Sequence, residues 1–174
     1  MRPLFTPWRR KYLERVGEET QTCIFCRAAQ ATDLRERWVL FRGRWNLIML
    51  NLYPYSNGHM MIAPLTHWAT PTEASPEALT EMALWIPTVL EVLREVYQPH
   101  GFNLGMNLGR CAGAGFADHY HLHVLPRWEG DTNFMTAVAE TRLIPEDIPT
   151  TFERLRPPLE ARLRQGVGLW PGSG

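Results

Sequence analysis

Apolar residues follow two different spacings along this chain. Up to about position 64 they alternate with polar residues or gather in short blocks, as strands do, and after position 75 they recur every three or four residues, as on a helix face. "RWVLFRGRWNLIMLNL" (37–52) reads as two strands turning near Gly43. The loop "YPYSNG" (53–58) leads into a third short strand, "HMMIAP" (59–64). Ser75 and Pro76 suit the N-cap and first turn of a helix. After them Leu79, Met82, Ala83, Ile86, Leu90, Leu93 and Tyr97 keep helical spacing. Pro87 falls inside that run and is expected to kink or split it. "FNLGMNLG" (102–109) and "HYHLHVLP" (119–126) read as strands flanking a glycine loop, "CAGAGFAD".

The ends are less patterned. Residues 6–16 suit a short first helix, and 131–165 a helical or irregular segment. "GVGLWPGSG" (166–174) is expected to be a flexible tail, which leaves one domain over 1–165. Strands come first, then a helix, then strands again. Short hairpin connections favour a small antiparallel sheet carrying one long helix, an α+β class with a C-terminal helical segment. A single long crossover does not suit a doubly wound sheet.

Composition narrows the function more than the fold. Apolar residues make up 45% of the 174, which suits one domain with a real core. The longest apolar runs, such as "NLIML", are too short to span a bilayer, so no membrane partner is expected. "MRPLFTPWRRKYLER" lacks the apolar stretch of an export signal, which makes the cytoplasm the expected compartment. With 18 basic and 18 acidic residues the formal charge is zero, against the basic excess of a nucleic-acid binder. Lys11 is the one lysine beside 17 arginines, a bias that suits phosphate contacts but also follows from genome composition. Three cysteines do not make a disulfide framework. Cys23 and Cys26, in "TCIFC", form a close pair that reads as metal ligands or a redox motif.

The most informative stretch is "DHYHLHVLPRW" (118–128). On a strand, His119, His121 and His123 project to one side, while Tyr120, Leu122 and Val124 face the core. Three imidazoles on one side could bind a metal. Alternatively, one attacks phosphorus while its neighbours orient it and contact the anion. A neutral imidazole is a competent nucleophile near pH 7. "GRCAGAG" just upstream favours the second reading, because glycines can turn backbone N–H groups onto phosphate oxygens.

"HYHLHVL" resembles the His-x-His-x-His signature of the histidine triad nucleotide hydrolases and transferases. "NLYPYSNGHMMIAPLTHW" (51–68) is similar to that family's segment ending in Gly-His, Pro and a second His, and "GMNLGRCAGAG" to its phosphate loop. "PWRRKYL", "CIFC" and "PRWEGDTNF" resemble the branch of bacterial diadenosine tetraphosphate phosphorylases and adenylyltransferases, with coverage from about residue 7 to 134.

The resemblance implies a fold of that family and a role for each matching residue. His121 becomes the nucleophile, carrying a covalent adenylyl group; His123 contacts an α-phosphate oxygen; His59 supports them through a buried hydrogen bond. Asn51 faces the ribose hydroxyls. Asn107 binds on the phosphate side, Gly113 and Gly115 allow close backbone approach, and Arg127 grips a distal phosphate. Cys23, Cys26, His67 and His119 form a structural zinc site. Trp8, Phe25, Trp45 and Trp128 are candidates for a base-stacking wall, although core packing explains most of them equally well. Phe116 departs from the family pattern, in which many members carry Ser or Thr three residues before the first comb histidine. The implied activity is phosphorolysis of diadenosine tetraphosphate to ATP and ADP, with inorganic phosphate as acceptor, or else hydrolysis or phosphoramidase action. A non-catalytic nucleotide-binding module is the competing class. The implied assembly is a homodimer or a larger homo-oligomer.

Overall fold

A computed structural model describes residues 23–131 and 146–166. The expected helix over 6–16, Trp8, and most of the tail after 165 lie outside the described residues.

Five strands form one antiparallel sheet in the order β1-β2-β3-β5-β4. They are β1 (Val39–Arg42), β2 (Asn46–Leu50), β3 (Met60–Pro64), β4 (Gly101–Gly105) and β5 (Leu122–Arg127). A short helix, α1 (Ile24–Ala29), precedes them. The long α2 (Pro76–Tyr97) crosses from β3 to β4, and α3 (Ile148–Gly166) closes the chain's described part.

The two faces of the sheet carry different cores. Leu40, Ile48, Leu50, Met60, Ile62, Tyr120, Leu122 and Val124 face α2 and α3. Val39, Leu47, Met49, Met61 and Ala63 face α1 through Phe25 and Ala28. Central strands β2 and β3 are buried at every position because both faces are covered, which is why their sequence runs apolar without alternation. β1 carries a register shift between Val39 and Phe41. The shift puts Val39 with the α1 core and both Leu40 and Phe41 with the α2 core.

α2 runs unbroken through Pro87, which stands on the exposed side, so the expected split does not occur. Ser75 caps its start by accepting from Ala78 N–H at 3.2 Å. Its buried stripe is Ala78, Met82, Trp85, Val89, Val92 and Leu93. Ala83, taken for a stripe position, is exposed, and Trp85 is the core residue the apolar spacing passed over. In α3, Phe152, Leu155, Leu159 and Leu163 repeat at helical spacing and pack on the same core.

The β1–β2 turn is tied to α2. The Glu81 carboxylate accepts from Arg44 N–H and Trp45 N–H, each at 3.0 Å, and from the Asn46 amide at 2.8 Å. Gly43 lies so close to the helix that an added Cβ would stand 2.4 Å from the Trp85 ring. Trp85 is buried and stiff, so Gly43→Ala is expected to destabilise the protein by about 1–3 kcal/mol and to lower the urea midpoint without changing the slope.

Candidate active site

Five of the six histidines and both cysteines of "CIFC" meet on the α1 side of the sheet. The regular strand β5 begins only at Leu122, so His119 and His121 sit on the extended run leading into it. The alternation nevertheless holds: Tyr120, Leu122 and Val124 enter the α2 core. The three comb histidines share a side but serve three different neighbourhoods.

His119, wholly buried, belongs to a cluster with Cys23, Cys26 and His67. Its Nδ1 lies 3.3 Å from Cys23 Sγ, 3.7 Å from Cys26 Sγ and 3.3 Å from His67 Nδ1. His67 Nδ1 is 3.2 Å from Cys26 Sγ. One ring nitrogen cannot serve three hydrogen bonds, so the convergence is that of ligands around a shared centre. The far side of the ring agrees, because His119 Nε2 donates to the Pro64 carbonyl at 2.9 Å and leaves Nδ1 as a lone pair. Burial lowers His119 to about 4, so this ring is neutral, as a metal ligand must be. Burial first, then Cys23, push the Cys26 thiol up to about 11. Two thiols and two imidazoles at these separations could hold a tetrahedral metal ion.

His121 is 5% exposed and its Nδ1 donates to the His119 carbonyl at 3.0 Å. A carbonyl only accepts, so the hydrogen is on Nδ1 and the lone pair is on Nε2. Burial holds this imidazole below its ordinary range, against the pull of the carbonyl, so it is neutral at pH 7.

His123 carries the opposite tautomer. Tyr55 N–H donates to His59 Nδ1 at 3.1 Å, which leaves the His59 hydrogen on Nε2. That nitrogen is 2.9 Å from His123 Nδ1 and donates to it, so the His123 hydrogen is on Nε2. Two neighbouring rings, 4.7 Å apart and at 75°, thus present a nucleophilic nitrogen and an N–H donor. His59 thus bonds His123 rather than His121. Tyr55, 45% exposed, covers the pair at 4.9 Å from His59 and 6.1 Å from His123.

Burial first, then His121, lower His123 from 6.5 to about 4. A histidine depressed in the fold favours the folded state while neutral; that stability is complete above about pH 6.5 and is lost as pH falls toward 4. The urea midpoint is therefore expected to drop through that window, and to drop less in His123→Gln than in the wild type. Equal slopes would assign the acid sensitivity elsewhere.

The other expected contacts fare differently. Asn51 uses its side-chain oxygen on Tyr53 N–H at 2.9 Å, and its N–H bonds to the His59 carbonyl, closing the 51–59 loop. Asn107 is half-buried just before the glycine loop. Gly109 and Gly113 adopt φ of +82° and +87°, where a side chain would be strained, while Gly115 has no positive φ. Between them a 3-10 turn, Arg110–Ala112, ties down the N–H groups of Ala112, Gly113 and Ala114. Arg127 gives its Nε and Nη2 to the Asp131 carboxylate, at 2.5 and 2.8 Å, and its Nη1 to Asn103 at 2.6 Å. It would reach a phosphate only by releasing Asp131.

Of the aromatic wall, Phe25 is wholly buried against His119 and His121, so it cannot stack on a base. Trp128 bonds the Tyr97 carbonyl at the end of α2. Trp45, half-buried, lies at the β1–β2 turn under the Arg44 guanidinium. The contact between Phe25 and His121 was hidden because the two are remote in sequence; the available signal was a large apolar residue inside a C-x-x-C pair.

The HIT domain model matches residues 37–130, which spans β1 to the end of β5. The chain belongs to the HIT domain family. AP-4-A phosphorylase of Mycobacterium tuberculosis is 35% identical to this HIT protein over 150 residues, 82% of this chain and 76% of the relative. Protein hit of Bacillus subtilis is 30% identical over 112 residues, 64% of this chain and 75% of its own. Among solved structures, a Zn-bound histidine triad family protein from Mycobacterium smegmatis superposes with a TM-score of 0.64 at 28% identity, covering 83% of this chain and 97% of that one. A histidine triad nucleotide-binding protein from Sulfolobus tokodaii gives a TM-score of 0.64 at 27% identity, over 84% and 97%. No helix among the described residues of this HIT protein is long and apolar enough to cross a membrane.

Proposed function

We propose that this HIT protein is an enzyme that phosphorolyses dinucleoside polyphosphates, converting diadenosine tetraphosphate and inorganic phosphate to ATP and ADP. The observation that carries the reading is the pair of opposed tautomers, His121 with a free lone pair on Nε2 beside His123 with a hydrogen there. The similarity to the mycobacterial AP-4-A phosphorylase supports the substrate class.

In the first step His121 Nε2 attacks the α-phosphorus, a P–N bond forms, and the bond to the bridging oxygen breaks to release ATP. His123 Nε2–H bonds a non-bridging α-oxygen and steadies the charge that develops there. In the second step an oxygen of inorganic phosphate attacks the same phosphorus, the P–N bond breaks and ADP leaves. Two displacements replace one difficult transfer, which is what a covalent intermediate offers. Asn51 meets a ribose hydroxyl through its amide nitrogen. Asn107, with the backbone after Gly113 and around Gly115, meets the phosphates.

Cys23, Cys26, His67 and His119 would hold a structural zinc ion. Tetrahedral zinc with Zn–S of about 2.3 Å and Zn–N of about 2.0–2.1 Å places S and N about 3.6 Å apart and two N about 3.3 to 3.4 Å apart. Four of the separations, 3.2 to 3.7 Å, match those values, and all four ligand atoms lie within 4.8 Å of one another. The bound ion would tie α1 to the sheet and leave His121 free. A second copy of the chain continues the sheet at β4, an edge strand that pairs only with β5 among the described residues and exposes Leu104. Sedimentation velocity decides that assembly, and a monomer rules it out.

Product analysis with diadenosine tetraphosphate tests the reaction. ADP plus ATP, formed only when phosphate is supplied, is the expected result. ATP plus AMP without phosphate would make the enzyme a hydrolase, and no product at all would leave a nucleotide-binding module.

A further inference from the structure

Phe25 lies between the cysteines of "CIFC" and is 0% exposed. Its ring centroid is 4.6 Å from that of His121, the planes tilted by 33°, and 5.0 Å from that of His119, tilted by 42°. Phe116 meets it edge-on at 6.1 Å and 80°. One buried ring therefore touches both a member of the Cys/His cluster and the imidazole with the free lone pair.

The hydrogen bond from His121 Nδ1 fixes one atom of that ring. It does not fix the ring plane, because the torsion that turns an imidazole has a broad, roughly two-fold profile. A flat neighbour in contact narrows that torsion. Phe25 is such a neighbour, held from both sides in sequence by cluster members, with Phe116 at its edge.

We propose that Phe25 is a positioning residue that couples the Cys23–Cys26–His67–His119 centre to His121. Ligation at the two cysteines presses α1 onto the sheet, and the captured ring sets the plane of the imidazole so that Nδ1–H stays on the His119 carbonyl and Nε2 stays aimed. The catalytic consequence rests on the proposed function; the coupling itself is a property of two rings and is readable without turnover.

Phe25→Leu keeps most of the apolar volume and removes the flat face, and Phe25→Ala removes both. In the zinc-loaded full chain, Phe25→Leu is expected to retain its metal and to lower kcat about tenfold, with KM for diadenosine tetraphosphate within about twofold of the wild type. Phe25→Ala is expected to lower kcat about a hundredfold. Should the alanine variant fail to fold, the leucine variant carries the test. Separately, the imidazole 15N shifts of His121 are read near neutral pH without nucleotide. The wild type should show one tautomer, hydrogen on Nδ1, whereas Phe25→Leu and the chelated wild type should both show averaging of the two nitrogens. A metal-loaded Phe25→Leu protein with wild-type kcat and a single His121 tautomer overturns the proposal. So does a kcat loss in Phe25→Leu that is explained by lost metal and disappears when zinc is restored to that variant. If the wild type turns over no dinucleotide, the proposed reaction fails while the 15N shifts still decide the coupling.

Discussion

His121→Ala is expected to lower kcat by about 10⁴-fold or more while metal content and fold are kept. The size follows from the chemistry. In the proposed mechanism every other group at the site orients, donates or neutralises, and none of them forms the bond to phosphorus in place of Nε2. Its neighbours show the contrast. His123→Ala removes one donor to a developing negative charge and is expected to lower kcat by about 10²–10³-fold. His121 is buried against Phe25, so the alanine variant leaves a cavity and loses some stability. His121→Gln, which fills more of that space and still cannot attack, controls for it. Quenched intact-mass measurement should show an adenylyl adduct on the wild type and none on either variant. Substantial turnover in His121→Ala would end the covalent reading.

Removing the proposed zinc ion, or replacing one of the cysteines that would hold it, is expected to give the largest loss of stability. Cys23 and Cys26 lie 96 and 41 residues from His119 and His67, so an ion held between them would close long loops as well as supplying ligand bonds. Cys26→Ser is expected to lower Tm by about 10 °C or more, since each kcal/mol shifts a domain of this size by roughly 2–4 °C and several kcal/mol of metal affinity are at stake. The loss should appear in chelated wild type and be absent when the chelated variant is compared with the untreated variant. An unchanged Tm after verified metal removal would show that α1 is held by Phe25 and Ala28 alone. Because α1 carries Phe25, the same treatment should also weaken the hold on His121.

Much of the fold was legible because local rules determine it. The alternation through "HYHLHVL" placed Tyr120, Leu122 and Val124 in the core, and the Ser75-Pro76 pair marked the start of α2. The limits were equally physical. Pro87 reads as a helix breaker, yet it stands on the solvent side of a helix whose other side is anchored by Trp85 and Val89, and packing outweighs the missing hydrogen bond. The Arg127 fork reads as a phosphate clamp, but Asp131, four residues on, occupies it.

The sequence by itself determined which chemical groups this protein has and which side of a strand they share: three imidazoles in a comb, a cysteine pair, a glycine loop. Side-chain direction alternates residue by residue, so that information is local. Only the tertiary structure decided what each imidazole does. A tautomer depends on the partner at the far nitrogen, and those partners are the Pro64 carbonyl for His119, the His119 carbonyl for His121, and His59 with the Tyr55 amide behind it for His123. The His119 carbonyl and the Tyr55 amide are near neighbours in sequence, but the Pro64 carbonyl and His59 are brought there by strand pairing across 55 and 64 residues, which no spacing along the chain encodes.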